Sequence, residues 1–111
     1  MDEDEKRVRG RAADSRELVL RRDIDARPNL VGAAWDDPEK RKRWWAGDAA
    51  DVTVTCERDR RGRAQLTIRA VFPTPEERHL AWSRGTLRAW AHSVDRLQAL
   101  LDEERTQPAL G

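Results

Sequence analysis

Three side chains could supply metal ligands or a reactive nucleophile, namely His79, His92 and Cys56. The two histidines lack the close spacing at which a helix or loop presents a pair of metal ligands, so we expect two surface histidines on helices. Cys56 stands in an alternating apolar pattern, which predicts a small core residue rather than a reactive thiol. Ser83 and Ser93 lack the sequence context of a nucleophile elbow. The sequence therefore predicts no metal site and no covalent catalysis.

Two acidic pairs could form a general acid–base couple. Asp36 and Asp37 directly precede a proline, and Glu76 and Glu77 directly follow one. Proline in the first turn and carboxylates beside it are typical of helix starts, where the helix dipole stabilises negative charge. We therefore predict a protein that is not an enzyme and that uses no cofactor.

A run of four cations followed by two tryptophans, KRKRWW, occupies residues 40–45. Such a run can hold phosphates and stack bases. Acids stand one helical turn before three of its cations, in the pairs Asp36/Lys40, Asp37/Arg41 and Glu39/Arg43. That spacing predicts ion pairs on a helix surface. The net charge of the whole chain is only +1, so we predict neither a nucleic-acid nor a membrane partner.

The length of 111 residues predicts a single domain. Residues 1–15 are mostly charged and are expected to be a disordered tail, followed by a domain over 16–104 and a frayed end over 105–111. The single cysteine excludes an internal disulfide, and no apolar run reaches the ~20 residues that span a bilayer. The acidic start, MDEDE, is unlike a signal peptide, so we predict a cytoplasmic protein.

Alternating apolar residues predict the strands that must position any site. Residues 17–24 form the first strand, and 52–72 form an antiparallel hairpin around a glycine-containing loop. Short helices are expected over 30–35 and after Pro38, where Asp36 or Asp37 is the cap.

The C-terminal third, 72–104, predicts helices. Thr74 can cap a short helix over 75–83, Gly85 introduces a bend, and a main helix continues to about residue 104. Its predicted apolar face comprises Leu80, Ser83, Leu87, Trp90, Val94, Leu97 and Leu101. The predicted fold is therefore α+β, with a small antiparallel sheet packed on a long C-terminal helix and two short helices after the first strand.

This order of elements resembles the START-like helix-grip superfamily (SRPBCC). More narrowly, it is similar to the C-terminal domain of the activator of the heat-shock-protein-90 ATPase. Residues 22–45 carry the resemblance through Ala26-Arg27-Pro28, Val31, Ala34-Trp35, Asp37-Pro38 and Trp44-Trp45. Residues 66–101 carry it through Phe72, Glu76-Glu77-Arg78, Gly85, Trp90, Leu97 and Leu100-Leu101. Ala89 departs from it, because the family usually has glycine there.

A larger departure is the length of the segment between the tryptophan pair and the hairpin. Only residues 46–51 separate them, whereas the family usually inserts several strands, so we predict a truncated helix-grip of three strands. A sheet that is roughly 10 Å wide cannot enclose a cavity around a helix, and it leaves exposed strand edges. The chain is then a reduced domain, one half of a dimer that completes its sheet between chains, or a degraded member that folds poorly.

The resemblance implies a non-enzymatic domain that binds an apolar small molecule between sheet and helix. The predicted ligand-binding residues are Leu66, Ile68, Phe72, Leu87, Trp90, Val94 and Leu97, which are also the residues available for a core. The alternative is a protein-interaction module, similar to a co-chaperone, that uses an exposed sheet edge or the corner at Trp44 and Trp45. A homodimer that completes the sheet between chains would leave room for a ligand cavity, whereas a compact monomer would favour a protein partner. The resemblance does not imply the heat-shock activator role for a chain of this length.

Overall fold

The computed structural model describes residues 16–106. The predicted tail over 1–15 and residues 107–111 lie outside the described residues. The elements in chain order are β1 (Glu17–Ile24), α1 (Pro28–Asp36), α2 (Pro38–Trp44), a 3-10 turn (Ala49–Asp51), β2 (Thr53–Arg58), β3 (Ala64–Val71), α3 (Pro75–Ser83) and α4 (Thr86–Thr106). The predicted α+β fold is confirmed, although α4 continues beyond the predicted end at about residue 104.

The sheet has three antiparallel strands in the order β1-β3-β2. Leu20 of β1 and Val54 of β2 both lie opposite Ile68 of the central strand. One face carries the buried residues Leu18, Ile24, Ala64, Leu66, Ile68 and Ala70. Successive side chains of a strand point to opposite faces, so the intervening polar residues form the solvent face. The predicted hairpin and strand number are confirmed.

The β2–β3 turn is held by the carboxylate of Asp59. Its Oδ1 accepts the backbone N–H groups of Arg61 at 2.8 Å and of Arg63 at 2.9 Å. These bonds lower the pKa of Asp59, because they stabilise the charged form, and the bond from Arg63 contributes most. Gly62 supplies the positive φ of +81° that side-chain-bearing residues rarely adopt.

Helix α2 begins as predicted, with Pro38 in its first turn. Helix α1 begins at Pro28, two residues before the predicted start at 30, because proline fits the first turn of a helix. Asp37 is the cap of α2, since its Oδ1 accepts the N–H of Glu39 at 3.0 Å. The predicted pairing of cations with acids one turn earlier was wrong for Lys40 and Arg43. These two cations reach the end of α4 instead, through Lys40–Glu104 (3.6 Å) and Arg43–Glu103 (3.5 Å).

Helices α3 and α4 meet at Gly85, whose φ is +86°. Thr74 caps α3 by accepting the N–H of Glu77 at 3.1 Å, as predicted. The reversal at Gly85 turns α3 away from the apolar face of α4, so the predicted continuous face was wrong for Leu80, which is 51% exposed, and for Ser83. The buried face of α4 consists of Trp90, Ser93, Val94, Leu97, Leu100 and Leu101.

Helix α4 lies across the buried face of the sheet and is attached to β1 at its edge. The guanidinium of Arg22 pairs with Asp95 at 2.9 Å. The side-chain oxygen of Gln98 accepts the backbone N–H of Asp25 at 2.9 Å, just after β1 ends. Within residues 16–106, no helix combines the length and apolar character needed to cross a membrane.

Candidate functional site

Four of the five tryptophans form a cluster between the paired helices and α4. Trp35, Trp44 and Trp45 lie with their ring centroids 5.5–5.8 Å apart, and Trp45 lies 6.3 Å from Trp90. Tilted and edge-to-face arrangements of this kind are favourable for aromatic rings. The indole N–H of Trp44 donates to the carbonyl oxygen of Ala34 at 3.1 Å, which ties α2 to α1.

Trp45 differs from Trp44 in the state of its indole N–H. The residue is only 7% exposed, and its Nε1 atom is buried without an acceptor among the described residues. A Cβ atom placed on Gly47 would lie 3.5 Å from Nε1 of Trp45 and 3.7 Å from the two nearest carbons of the same ring. A buried polar hydrogen without a partner is uncommon, because leaving one costs about 1–3 kcal/mol.

Trp45 and Gly47 both line a cleft of about 630 Å³ at the end of the sheet. Its other lining residues come from the loop after α2, the end of β3, α3 and the first turns of α4: Ala46, Asp48, Ala50, Asp51, Val52, Ala70, Val71, Phe72, Pro73, Ala81, Thr86, Ala89, Trp90 and Ser93. The volume lies within the range of about 300–1,000 Å³ typical of small-molecule sites. The cleft is open to solvent, which agrees with the expectation that three strands cannot enclose a cavity.

The polar side chains that line the cleft are Asp48 and Asp51 in the loop and Thr86 and Ser93 on α4. Asp48 accepts the backbone N–H of Ala50 at 2.9 Å and so caps the 3-10 turn, and Asp51 ends that turn with an exposed side chain. On the helix side, the hydroxyl of Ser93 accepts the N–H of Ala46 at 3.4 Å. Among the described residues that line the cleft, none is lysine, arginine or histidine.

The predicted ligand-binding residues separate into two groups. Leu66, Ile68, Val94 and Leu97 are at most 1% exposed and belong to the core, and Leu87 is half-buried next to that core. Phe72 and Trp90 border the cleft. The structure therefore places an accessible cleft at one end of the sheet–helix layer, while the middle of that layer is filled by side chains.

Trp44 and Trp45, predicted as an interaction corner, are both buried, at 1% and 7% exposure. Trp44 faces the core, and Trp45 contributes to the wall of the cleft. The exposed tryptophan of the described chain is Trp82 on α3, which is 52% exposed and lies under the guanidinium of Arg78 at 5.2 Å.

The residues considered first for chemistry do not come together. His79 and His92 are exposed on separate helices, and no cluster of three or more metal-ligating side chains occurs in residues 16–106. Cys56 is half-buried on β2. Burial, with a smaller contribution from the carboxylate of Glu57, raises the pKa of the Cys56 thiol, so the protonated form is favoured. A raised pKa fits a packing role and not a nucleophile.

Sequence reasoning assigned only Phe72, Trp90 and Trp45 of the cleft to a site and missed the rest of its lining, including Gly47, Asp48, Asp51 and Ala89. Residues 46–51 have no hydrophobic period and precede the hairpin as a short polar segment. Two weak signals were available. Asp48 stands where it can cap a short helix, and Ala89 is a small residue in the first turns of a long helix.

The fold and the cleft define an α+β domain with a three-stranded antiparallel sheet under a long C-terminal helix. The sequence matches no protein family and no curated protein. The fold is similar to the solution NMR structure of a protein from Arthrobacter aurescens, determined by the Northeast Structural Genomics Consortium. The TM-score is 0.67 at 16% sequence identity, over 86% of this chain and 88% of that chain. At this identity the similarity establishes the fold alone.

Proposed function

We propose that this domain is a shortened, non-enzymatic relative of the helix-grip (SRPBCC) superfamily that binds an apolar small molecule in the cleft. The order of elements supports the relationship: a strand, two short helices ending in a tryptophan pair, a hairpin and a long helix. Residues 22–45 and 66–101 carry the resemblance to the heat-shock ATPase activator branch on which this proposal draws. With three strands, the ligand lies at the end of the sheet rather than beneath its centre.

The observation that carries the proposal is the unpartnered indole N–H of Trp45. The side chain is more than nine-tenths buried in the wall of an open cleft, and its donor lies beside Gly47, where the chain has no side chain. The nitrogen is buried in the free protein, so a bound molecule reaches it only if the wall beside Gly47 moves; its acceptor would then satisfy the donor and remove a cost of about 1–3 kcal/mol. A cluster that served only as core would be expected to bond this N–H internally, as Trp44 does with Ala34.

The apolar character of the ligand follows from the walls. Phe72, Trp90 and Trp45 supply aromatic surface, and Ala81 and Ala89 leave room between them. Small-molecule sites are commonly apolar with a few placed polar groups, which is the composition found here. Each buried CH₂ group contributes roughly 0.8 kcal/mol, so filling part of the cleft gives measurable affinity.

A larger side chain within the cleft should weaken ligand binding. Ala89 is exposed on α4 and lines the cleft, so Ala89→Leu fills it without removing a core contact. We expect N-phenyl-1-naphthylamine, a neutral apolar fluorophore, to bind the wild-type protein saturably, with energy transfer from tryptophan. The variant should bind it at least about tenfold more weakly, a loss of roughly 1.4 kcal/mol.

The matched control is Ala99→Leu, which makes the same substitution at an exposed position of α4 outside the cleft. This variant should bind the fluorophore as the wild type does, and both variants should keep the wild-type circular dichroism. Equal weakening in both variants, or no saturable binding by the wild type, would refute the proposal.

A second function is favoured by the open sheet. Within the described residues, β1 and β2 are edge strands that have no further strand beside them, and unpaired edges are sites for strand addition.

The competing proposal is a protein-interaction module in which two chains pair through β2. If two chains pair in this way, light scattering after size exclusion should give twice the mass of one chain. Thr55→Lys on the edge should then restore the monomer, whereas Thr67→Lys, opposite it on the central strand, should not. A monomer at all concentrations contradicts this second function.

A further inference from the structure

The cleft combines acidic and aromatic side chains with one unpartnered donor, and these features together describe a ligand class. We infer that the cleft selects an organic cation that also carries an oxygen acceptor, such as an ester or amide of a quaternary amine. This inference rests on the proposed function, since it names the chemistry of the molecule that the cleft binds.

The first argument is the sign of the charge. The chain has 22 lysine and arginine residues, yet the described lining of the cleft contains none, while it contains Asp48 and Asp51. Neither carboxylate forms an ion pair within residues 16–106. Asp48 uses Oδ1 to cap the 3-10 turn, which leaves its other oxygen available to a ligand. A cleft lined by one sign of charge attracts ligands of the opposite sign.

Three positive features lie near the cleft without being lysine or arginine side chains of its lining. The first is the guanidinium of Arg16, which donates to the carbonyl oxygen of Pro73 at 3.5 Å; the others are the first turn of α4 and Arg96. The first turn of α4 borders the cleft at Thr86 and Ala89, and a helix N-terminus carries about half a positive charge. The guanidinium of Arg96 lies behind Ser93 and is held by hydrogen bonds to the Ser93 hydroxyl (3.1 Å) and the Trp44 carbonyl (3.3 Å). Neither Arg16 nor Arg96 itself lines the cleft, so the two carboxylates are the charges nearest to a bound molecule.

The second argument is the aromatic wall. Trp45 and Trp90 lie 6.3 Å apart with their planes inclined by 38°, and Phe72 borders the same space. Tryptophan is the aromatic side chain that attracts cations most strongly, and quaternary ammonium groups are commonly bound between such rings and a carboxylate. An apolar carboxylic acid would instead meet two carboxylates at the rim.

The third argument is the donor of Trp45. A quaternary ammonium group cannot accept a hydrogen bond from an N–H group, so the ligand must also contain an acceptor. The donor is buried, lies 3.5 Å from the position of an absent Gly47 side chain, and belongs to a residue that lines the cleft together with Gly47. A carbonyl oxygen is the acceptor that fits an indole N–H, and it adds no charge to the site.

Three probes of similar shape separate these arguments when binding is measured by tryptophan fluorescence at low salt. Benzoylcholine has the cation and the ester, 3,3-dimethylbutyl benzoate replaces the nitrogen with carbon, and 4-phenylbutyltrimethylammonium lacks the ester. We expect benzoylcholine to bind at least about tenfold more tightly than the neutral ester, with the preference reduced by salt, because the carboxylates lie at the surface. The probe without the ester should bind severalfold more weakly than benzoylcholine.

Asp48→Asn with Asp51→Asn should lower the affinity for benzoylcholine to that of the neutral ester and leave the neutral ester unaffected. Asparagine at position 48 keeps an oxygen for the N–H of Ala50, so the 3-10 turn is preserved. The control is Asp37→Asn, which caps α2 in the same way away from the cleft and should change neither affinity.

The outcomes distinguish this inference from the function on which it rests. Equal binding of the charged and neutral esters, or a preference that survives in the double variant, overturns the inferred ligand class while apolar binding stands. Binding of N-phenyl-1-naphthylamine without binding of benzoylcholine does the same. Equal affinity with and without the ester overturns the role of Trp45. Absence of binding by every probe, the fluorophore included, overturns both proposals.

Discussion

Replacing Leu97 with alanine is expected to lower the free energy of unfolding by about 2–5 kcal/mol. Leu97 lies near the middle of α4, is fully buried at 0% exposure, and belongs to the same core cluster as Leu66 and Ile68. Its neighbours are held by the sheet and cannot collapse into the space, so a cavity remains. Because small domains have only about 5–15 kcal/mol of stability, this one change removes a large part of it.

The measurement is urea unfolding followed by circular dichroism, with the denaturant slope compared between variants to confirm that the same surface unfolds. Leu80→Ala on α3 is the control, because it removes the same atoms from a side chain that is 51% exposed. Exposed sites typically change stability by less than about 0.5 kcal/mol. A comparable loss at both positions, or a loss below about 0.5 kcal/mol for Leu97→Ala, would contradict the packing of α4 on the sheet.

The sheet and the main helix could be predicted because their apolar residues follow a period. Alternation along β3 placed Leu66 and Ile68 on the buried face, and steps of three and four placed Val94 and Leu97 on the buried face of α4. Periodicity is informative where an element buries one face against a single layer. For the same reason it failed at Leu80, since α3 does not continue the axis of α4 after the reversal at Gly85.

The ion pairs of α2 show a different limit. Asp36 ends α1 and Asp37 is the cap of α2, so only Glu39 and Arg43 lie within one helix, where such a pair contributes about 0.2–0.5 kcal/mol. Lys40 and Arg43 instead reach Glu104 and Glu103, which tertiary packing brings beside them. Sequence spacing cannot predict this choice, because the partner depends on how α4 crosses α2.

The cleft could not be predicted because it depends on two positions, Gly47 and Ala89, where the side chain is missing or small. Gly47 and Ala89 leave space beside Trp45 and Trp90, and Asp48 and Asp51 stand in a segment without periodicity. The aromatic residues were recognised, but a core and a binding site use the same residue types. What separates the two uses is hydrogen bonding: the N–H of Trp44 is satisfied inside the protein, and that of Trp45 is not.

Trp44→Ala is expected to lower the free energy of unfolding by about 3–5 kcal/mol, which is the range for deleting a large buried aromatic side chain. Trp44 is 1% exposed and lies against both Trp35 and Trp45. Thermal and urea unfolding measure the loss, and Trp82→Ala is the control, because that tryptophan is 52% exposed and should cost far less.

Trp44→Phe separates the hydrogen bond from the packing. Phenylalanine keeps much of the apolar surface but leaves the carbonyl of Ala34 without its donor at 3.1 Å, so an intermediate loss of about 1–3 kcal/mol is expected. The corresponding change at position 45 gives the opposite expectation: Trp45→Phe removes a donor that has no partner, so its loss should come from packing alone. If Trp45→Phe cost as much as Trp44→Phe, the indole N–H of Trp45 would already be bonded in the free protein. The cleft would then lose the donor that distinguishes it from ordinary core.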